Sequence, residues 1–222
     1  AALVDFCESK NIFLAMDDIY HQLIFDPAEW VPGYVFTSKP MDKSHLVIIN
    51  GISKTFGMTG FRIGWAIGPA PVIQAMNKIQ GHSTSGASAV LQEAALGALT
   101  SGSQAIAELR SFIQTNRDIL IGELRQIKRL RITEPGGTFY CFPDFSSLVP
   151  DSQHLAALLL EKTFVATVPG IAFGKEGYLR LSYTCSREEI RESAKRIRWA
   201  VDRDSPPEIV IGGKTYLRKW EF

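Results

Sequence analysis

Three short apolar runs, each closed by Asp, Asn or Gly, constrain the fold of this chain more than any other feature. They are IFLAM (Ile12 to Met16) before Asp17 and Asp18, HLVIIN (His45 to Asn50), and IGWAIG (Ile63 to Gly68). A continuous apolar run of this length reads as a strand buried on both faces. Helical patterns alternate with them. Leu3, Phe6 and Cys7 keep helical spacing in Ala1 to Lys10, Pro71 opens a helix to Gln80, and Ala87 to Leu99 is rich in alanine. A loop rich in Pro, Gly and Asp joins the first two strands. Strands of this kind alternating with helices predict an α/β fold with a mainly parallel sheet.

The pattern changes beyond a polar GHSTSGAS loop and a break at Ser101 to Ser103. Gln104 to Leu130 keeps Ile106, Leu109, Ile113, Leu120, Leu124 and Ile127 on one helical face. A helix this long after a break predicts a connection between two domains, 1–103 and 104–222. The second reads as a small α+β domain. RIT, EPGG and TFYCF predict a hairpin. Leu155 to Glu161 reads as a helix capped by Asp151 or Ser152. FVATV and YLRLSY read as strands, and Ser186 with Glu189 makes a capping box for a helix to about Arg203. The tail predicts a small hairpin about Gly212 and Gly213. No internal repeat or low-complexity tract is present.

Composition narrows the function classes. A net charge of +1 gives no footprint for a nucleic-acid partner. Cys7, Cys141 and Cys185 are far apart, with no CxxC pair, and the four histidines make no HxxxH pair. Neither a disulfide framework nor a metal site is therefore expected, and free thiols suggest the cytoplasm. No apolar run approaches the roughly 20 residues of a membrane helix. The chain opens without Met, in what reads as mid-helix, so a partial sequence is expected.

The chemistry concentrates in NGISKTFGMTGFRIGW, Asn50 to Trp65. An apolar strand ends there, and Ser53-Lys54 follows at its carboxyl end, the edge where open α/β sheets bind ligands. Gly51, Gly57, Gly60 and Gly64 let the backbone turn and approach closely. Arg62 beside such a turn suits a phosphate. From spacing alone, ordinary surface charges explain Lys54 and Arg62 equally well.

Four segments in order shift that balance. SKTFGMTGFRIGW resembles the lysine motif of class I aminotransferases, DDIYHQLIFD their D-E-I-Y segment, EPGGTFYCFPDF their P-x-G-x-F-Y segment, and VPGIAFGKEGYLRLSYTCS their V-P-G-x-x-F-G and R-L-S-Y segments. The resemblance covers nearly the whole chain and implies the C-terminal part of a type I pyridoxal-phosphate-dependent transferase fold. In that fold the first domain is part of the large cofactor-binding domain, and the second is the linking helix and small domain.

The resemblance also implies roles. Lys54 holds pyridoxal 5′-phosphate as a Schiff base and shuttles a proton, a task suited to a desolvated amine. Asp17 pairs with the pyridine nitrogen, Asp18 being the weaker choice because the family's carboxylate stands three residues before the Tyr. Tyr20 donates to the phenolic oxygen. Arg62, helped by Ser53, holds the phosphate. Arg180 takes the substrate α-carboxylate bidentately. The plainer readings are a turn former for Asp17, a half-buried core side chain for Tyr20 and a strand-edge ion pair for Arg180. Many relatives carry Ser or Thr where this chain has Gly51.

The implied reaction moves an amino group between an amino acid and a 2-oxo acid in a homodimer, with aspartate-like or broad specificity. A ligand-sensing domain of a transcription regulator and a carbon–sulfur β-lyase are the alternatives. Relatives are longer at the N-terminus, so this chain by itself is expected to lack part of the site and to transaminate poorly.

Overall fold

A computed structural model describes residues 1–220. The chain divides into two units, Ala1–Arg110 and Ser111–Phe222. In the first, helix α1 (Ala2–Ser9) buries Val4 and Cys7, while Leu3 and Phe6 are exposed. The helical spacing holds, but the buried face is one residue round from the expected one.

Strand β1 (Leu14–Asp17) runs parallel to β2 (Leu46–Gly51), in register from Leu14 with Leu46 to Asp17 with Ile49. Strand β3 (Gly64–Ile67) pairs antiparallel with the other edge of β2, from Gly51 with Gly64 to Ile48 with Ile67. The sheet is therefore mixed, not mainly parallel. The reason lies in the connection. A parallel return needs a long crossover, usually helical. Residues 52–63 supply only turns and a 3₁₀ turn, Thr59–Phe61. Burial on both faces is met only by Leu46, Val47 and Ile48. Ile12, Phe13 and Ile67 are exposed.

Helix α2 (Ala70–Ser83) starts at the expected proline and runs past Gln80 through Gly81 and His82, so the GHS residues are helical rather than loop. Helix α3 (Ala89–Ser101) follows and buries only Ala95. Helix α4 (Ser103–Leu124) runs through the division between the units. It stops short of the expected Leu130. Residues 125–129 form turns, ending with Arg129 at a left-handed φ of 70°, and these turns keep Ile127 buried without a helix.

In the second unit, β4 (Tyr140–Cys141), β5 (Val168–Pro169) and β6 (Leu179–Ser182) form a sheet in the order β4-β6-β5, antiparallel throughout. The expected RIT–TFYCF hairpin is reduced to one bridge, Arg131 with Asp144, because β4 gives its pairing to β6. FVATV yields only β5, since Phe164 takes φ 59° and ends a π-helical turn at Leu159–Thr163. That turn continues α5 (Ser152–Leu158). Asp151 is its cap, with Oδ1 accepting from His154 N at 2.8 Å. The Ser152 hydroxyl instead accepts from Ile171 N. Helix α6 (Arg187–Val201) carries the expected capping box: Glu189 N donates to Ser186 Oγ at 3.2 Å and Ser186 N to Glu189 Oε2 at 2.9 Å.

The tail forms β7 (Glu208–Ile211) and β8 (Lys214–Leu217), an antiparallel hairpin turning at Gly212 (φ 58°) and Gly213 (φ 79°). Two successive positive φ values define the turn that suits strand twist, and glycine takes them without strain. Ile209 and Ile211 pack on Trp199 with Tyr216 and Trp220. Arg218 donates to the carbonyls of Trp199 (3.0 Å), Arg203 (3.2 Å), Ser205 (3.1 Å) and Asp202. The end of α6 would otherwise leave carbonyls without donors.

Candidate functional site

The mixed sheet places the first group of candidate residues. Asp17 ends β1, and Ser53 and Lys54 follow the end of its parallel neighbour β2. Because β3 is antiparallel, Arg62 precedes it at that same edge. Asp17, Tyr20, Ser53, Lys54 and Arg62 therefore share the end of the sheet where α/β folds bind ligands.

Local geometry explains each position. Asp18 N donates to Ile49 O at 2.9 Å, which fixes the turn leaving β1. Asp17 Oδ1 accepts from Ile19 N at 3.3 Å, and among the described residues its second oxygen accepts no hydrogen bond. Asp18 differs. Its Oδ2 is buried and unpartnered, and burial raises its carboxyl above the usual range, with the Asp17 charge adding to this and His21 opposing it. A carboxyl pushed toward its neutral form is the poorer partner for a cationic ring nitrogen. Tyr20 is half-buried in the turn that follows, its carbonyl accepting from Leu23 N at 2.8 Å.

Lys54 sits half-buried in turns where Phe56 N donates to Ile52 O and Gly57 N to Lys54 O. Arg62 takes a left-handed φ of 53°, and its Nη1 donates to Thr59 O at 3.0 Å. The rest of its fork is exposed and available to an anion. Gly51 is explained by steric contact. A Cβ there would stand 2.8 Å from Ile63 O and 3.1 Å from Gly64 Cα. No serine or threonine fits without parting β2 from β3, so the missing hydroxyl follows from close strand approach.

The sequence did not single out a polar cluster behind this edge. His21 Nδ1 lies 2.9 Å from Asp18 O and 3.0 Å from Asn50 Nδ2, Asn50 Oδ1 accepts from Gly51 N at 2.8 Å, and the His21 ring meets Trp30 in a tilted contact, centroids 4.7 Å apart. This ties the turn after β1 to the end of β2. Its only sequence signal is the histidine directly after Tyr20.

Arg180 belongs to the second unit, on β6. It pairs with Val168 across the sheet and forms no ion pair among the described residues, so the plain reading of a strand-edge ion pair does not hold. Its Cζ lies 4.4 Å from the Tyr140 ring centroid and 4.7 Å from that of Phe173. The V-P-G-x-x-F-G segment shapes the loop that carries Phe173. A Cβ on Gly170 would stand 2.1 Å from Lys175 O and 2.7 Å from Tyr178 O, and Gly174 takes φ 71°. No group of His, Cys, Asp and Glu among the described residues could hold a metal ion. No helix among them is long and apolar enough to cross a membrane.

Comparison with known proteins bears on the family and the fold. The family model for aminotransferase class I and II matches residues 1–197. The aspartate aminotransferase of Streptomyces avermitilis is 39% identical over 197 residues, covering 85% of this chain and 48% of the relative. The bifunctional aspartate aminotransferase and glutamate/aspartate-prephenate aminotransferase of Petunia hybrida is 36% identical over 210 residues, covering 89% and 43%. Among solved structures, the aromatic aminotransferase of Pyrococcus horikoshii superposes with a TM-score of 0.82 at 31% identity, covering 89% of this chain and 53% of that one. The aspartate aminotransferase of Thermus thermophilus with maleate gives 0.81 at 34% identity, covering 89% and 50%. The chain spans about half the length of the curated relatives it matches. With the match running over residues 1–197 and the relatives above 30% identity, the chain belongs to the class I and II aminotransferases.

Proposed function

We propose that the protein transfers an amino group between an amino acid and a 2-oxo acid, using pyridoxal 5′-phosphate held at Lys54. One observation carries this reading: Asp17 and Lys54 lie at the carboxyl ends of adjacent parallel strands, with Arg62 at the same edge. The donor set suits the cofactor. It offers an amine for the aldehyde, a carboxylate with a free oxygen for the ring nitrogen, a phenol for the phenolic oxygen, and a guanidinium and a hydroxyl for the phosphate. When bound, pyridoxal 5′-phosphate supplies an electron sink for a carbanion at the substrate α-carbon.

The chain's residues then divide the work. Asp17 keeps a proton on the ring nitrogen. Arg62 and Ser53 bind the phosphate. Tyr20 donates a hydrogen bond to the phenolic oxygen. Lys54 Nζ would hold the cofactor, and its amine would accept the proton that leaves the substrate α-carbon. Arg180 binds the α-carboxylate through its planar fork. Aspartate is the favoured amino donor, since relatives named aspartate aminotransferases recur across bacteria, archaea and plants.

A homodimer is the assembly this reading expects. Exposed Met76, Ile79, Val90, Leu96 and Leu99 on α2 and α3 support it, as large apolar side chains left in solvent favour association. Three cysteines present as thiols support a reducing compartment such as the cytoplasm. The test is product analysis of the protein loaded with pyridoxal 5′-phosphate and given aspartate and 2-oxoglutarate. Formation of oxaloacetate and glutamate in equal amounts, without ammonia, is expected. Ammonia release, or turnover that survives Lys54→Ala, would overturn the reading, whereas slow turnover by this chain alone is expected because it spans about half the length of its relatives.

A further inference from the structure

We propose that Tyr140 and Phe173 are positioning residues that flank the Arg180 guanidinium and fix the plane in which it receives a carboxylate. The proposal rests on the reading of Arg180 as the α-carboxylate site and deepens it.

Sheet register brings the first ring into place. Tyr140 pairs with Ser182, so Arg180, two residues back along β6, is its diagonal neighbour on the same face. Such diagonal pairs are within reach of long and aromatic side chains. Arg180 Cζ stands 4.4 Å from the Tyr140 centroid. The second ring comes from the 3₁₀ turn Gly170–Phe173, and stands 4.7 Å from the same carbon. The two rings make no ring contact with each other among the described residues. Phe173 is itself braced edge-on by Phe142, at 5.8 Å and 86°, and Phe142 lies 5.1 Å from Tyr178.

A guanidinium attracted to ring faces keeps its N–H edge for other partners. No acidic side chain among the described residues takes that edge. The arrangement therefore holds a cation half-buried, oriented and unneutralised. The ligand that fits is planar and anionic with two acceptor oxygens in one plane, which is a carboxylate. Orientation fixed in advance lowers the ordering cost of binding. A lysine here would keep the charge and lose the planar fork.

The test uses the full chain labelled with ¹⁵N-arginine and maleate as the probe. The Arg180 Nε–H resonance is followed by nuclear magnetic resonance in the wild type, Tyr140→Leu, Phe173→Leu and Tyr140→Phe, with the urea midpoint of each variant as a check on folding. Maleate is expected to shift the wild-type signal. Each leucine variant should bind about fivefold more weakly and the double variant tenfold or more, while Tyr140→Phe stays within about twofold. In the free protein the leucine variants should also speed rotation about the Arg180 Nε–Cζ bond. Folded leucine variants that bind maleate as the wild type does, with unchanged rotation, would overturn the proposal. If maleate leaves Arg180 unmoved while ring removal still frees its rotation, the carboxylate site fails and the flanking contact stands.

Discussion

Restoring a hydroxyl at Gly51 is expected to damage the protein rather than improve its phosphate site. The Cβ of Gly51→Ser would lie 2.8 Å from Ile63 O. That is about 0.5 Å inside the closest distance, roughly 3.3 Å, at which carbon and a carbonyl oxygen ordinarily meet. The obstacle is backbone on a hydrogen-bonded neighbour, and Gly64 across the pair has the same restriction, its Cβ reaching 2.9 Å from Asn50 O. Neither strand can yield without loosening the Gly51–Gly64 end of β2 and β3, where Lys54 and Arg62 are attached. Overpacking of this kind costs about 1–3 kcal/mol. Gly60→Ala is the control. Nothing lies within 4 Å of its Cβ and its φ is not positive, so it should be neutral or gain up to about 1 kcal/mol. Hydrogen exchange at the amides of β2 and β3 reads the first unit directly. Protection in Gly51→Ser equal to that of the wild type, with β3 still paired, would refute the steric account and reopen the question of the missing hydroxyl.

Arg218→Met should expose the carbonyls at the end of α6 and release the tail hairpin, costing about 1–3 kcal/mol and raising exchange at β7 and β8. Ser186→Ala should cost about 0.5–2 kcal/mol through loss of the capping box, read from the urea midpoint of the second unit. Burial pushes the Cys141 thiol up to about 12, so with an aromatic disulfide at pH 8 Cys141 should react only on unfolding, while the half-buried Cys185 is free to label earlier; prompt labelling located on the Cys141 peptide of the native protein would contradict its burial. Asp144 titrates below the usual carboxylate range. Burial works against this and is outweighed by hydrogen bonds from Ser146 and the charge of Arg131. A folded-state value below the unfolded one gives stability that is full above the unfolded pKa of about 3.9 and fades as pH falls through the folded value. Asp144→Asn should therefore flatten the acid limb of the stability curve below about pH 4, and an unchanged acid limb would count against the linkage.

Sequence spacing made the edge of the first sheet legible because strand ends, glycines and charged residues fall there within short range. Lys54, Ser53 and Arg62 lie within ten positions, and Asp17 closes its own apolar run. The antiparallel turn of β3 was missed because an apolar run does not encode its direction. Only the absence of a crossover between residues 52 and 63 does. The capping box at Ser186 and the Gly212–Gly213 turn were legible because they are local. The surroundings of Arg180 were not, because its partners Tyr140 and Phe173 reach it through strand register and loop shape. The His21, Asn50 and Trp30 cluster escaped for the same reason.

The central claim is that Lys54 holds the cofactor. Its most direct measurement is borohydride reduction of the protein mixed with an equal amount of pyridoxal 5′-phosphate, followed by peptide mass mapping. The account predicts a phosphopyridoxyl group confined to the Lys54 peptide, absent in Lys54→Ala and weakened in Arg62→Ala. Label spread over many lysines, or settled on another one in the wild type, would contradict it.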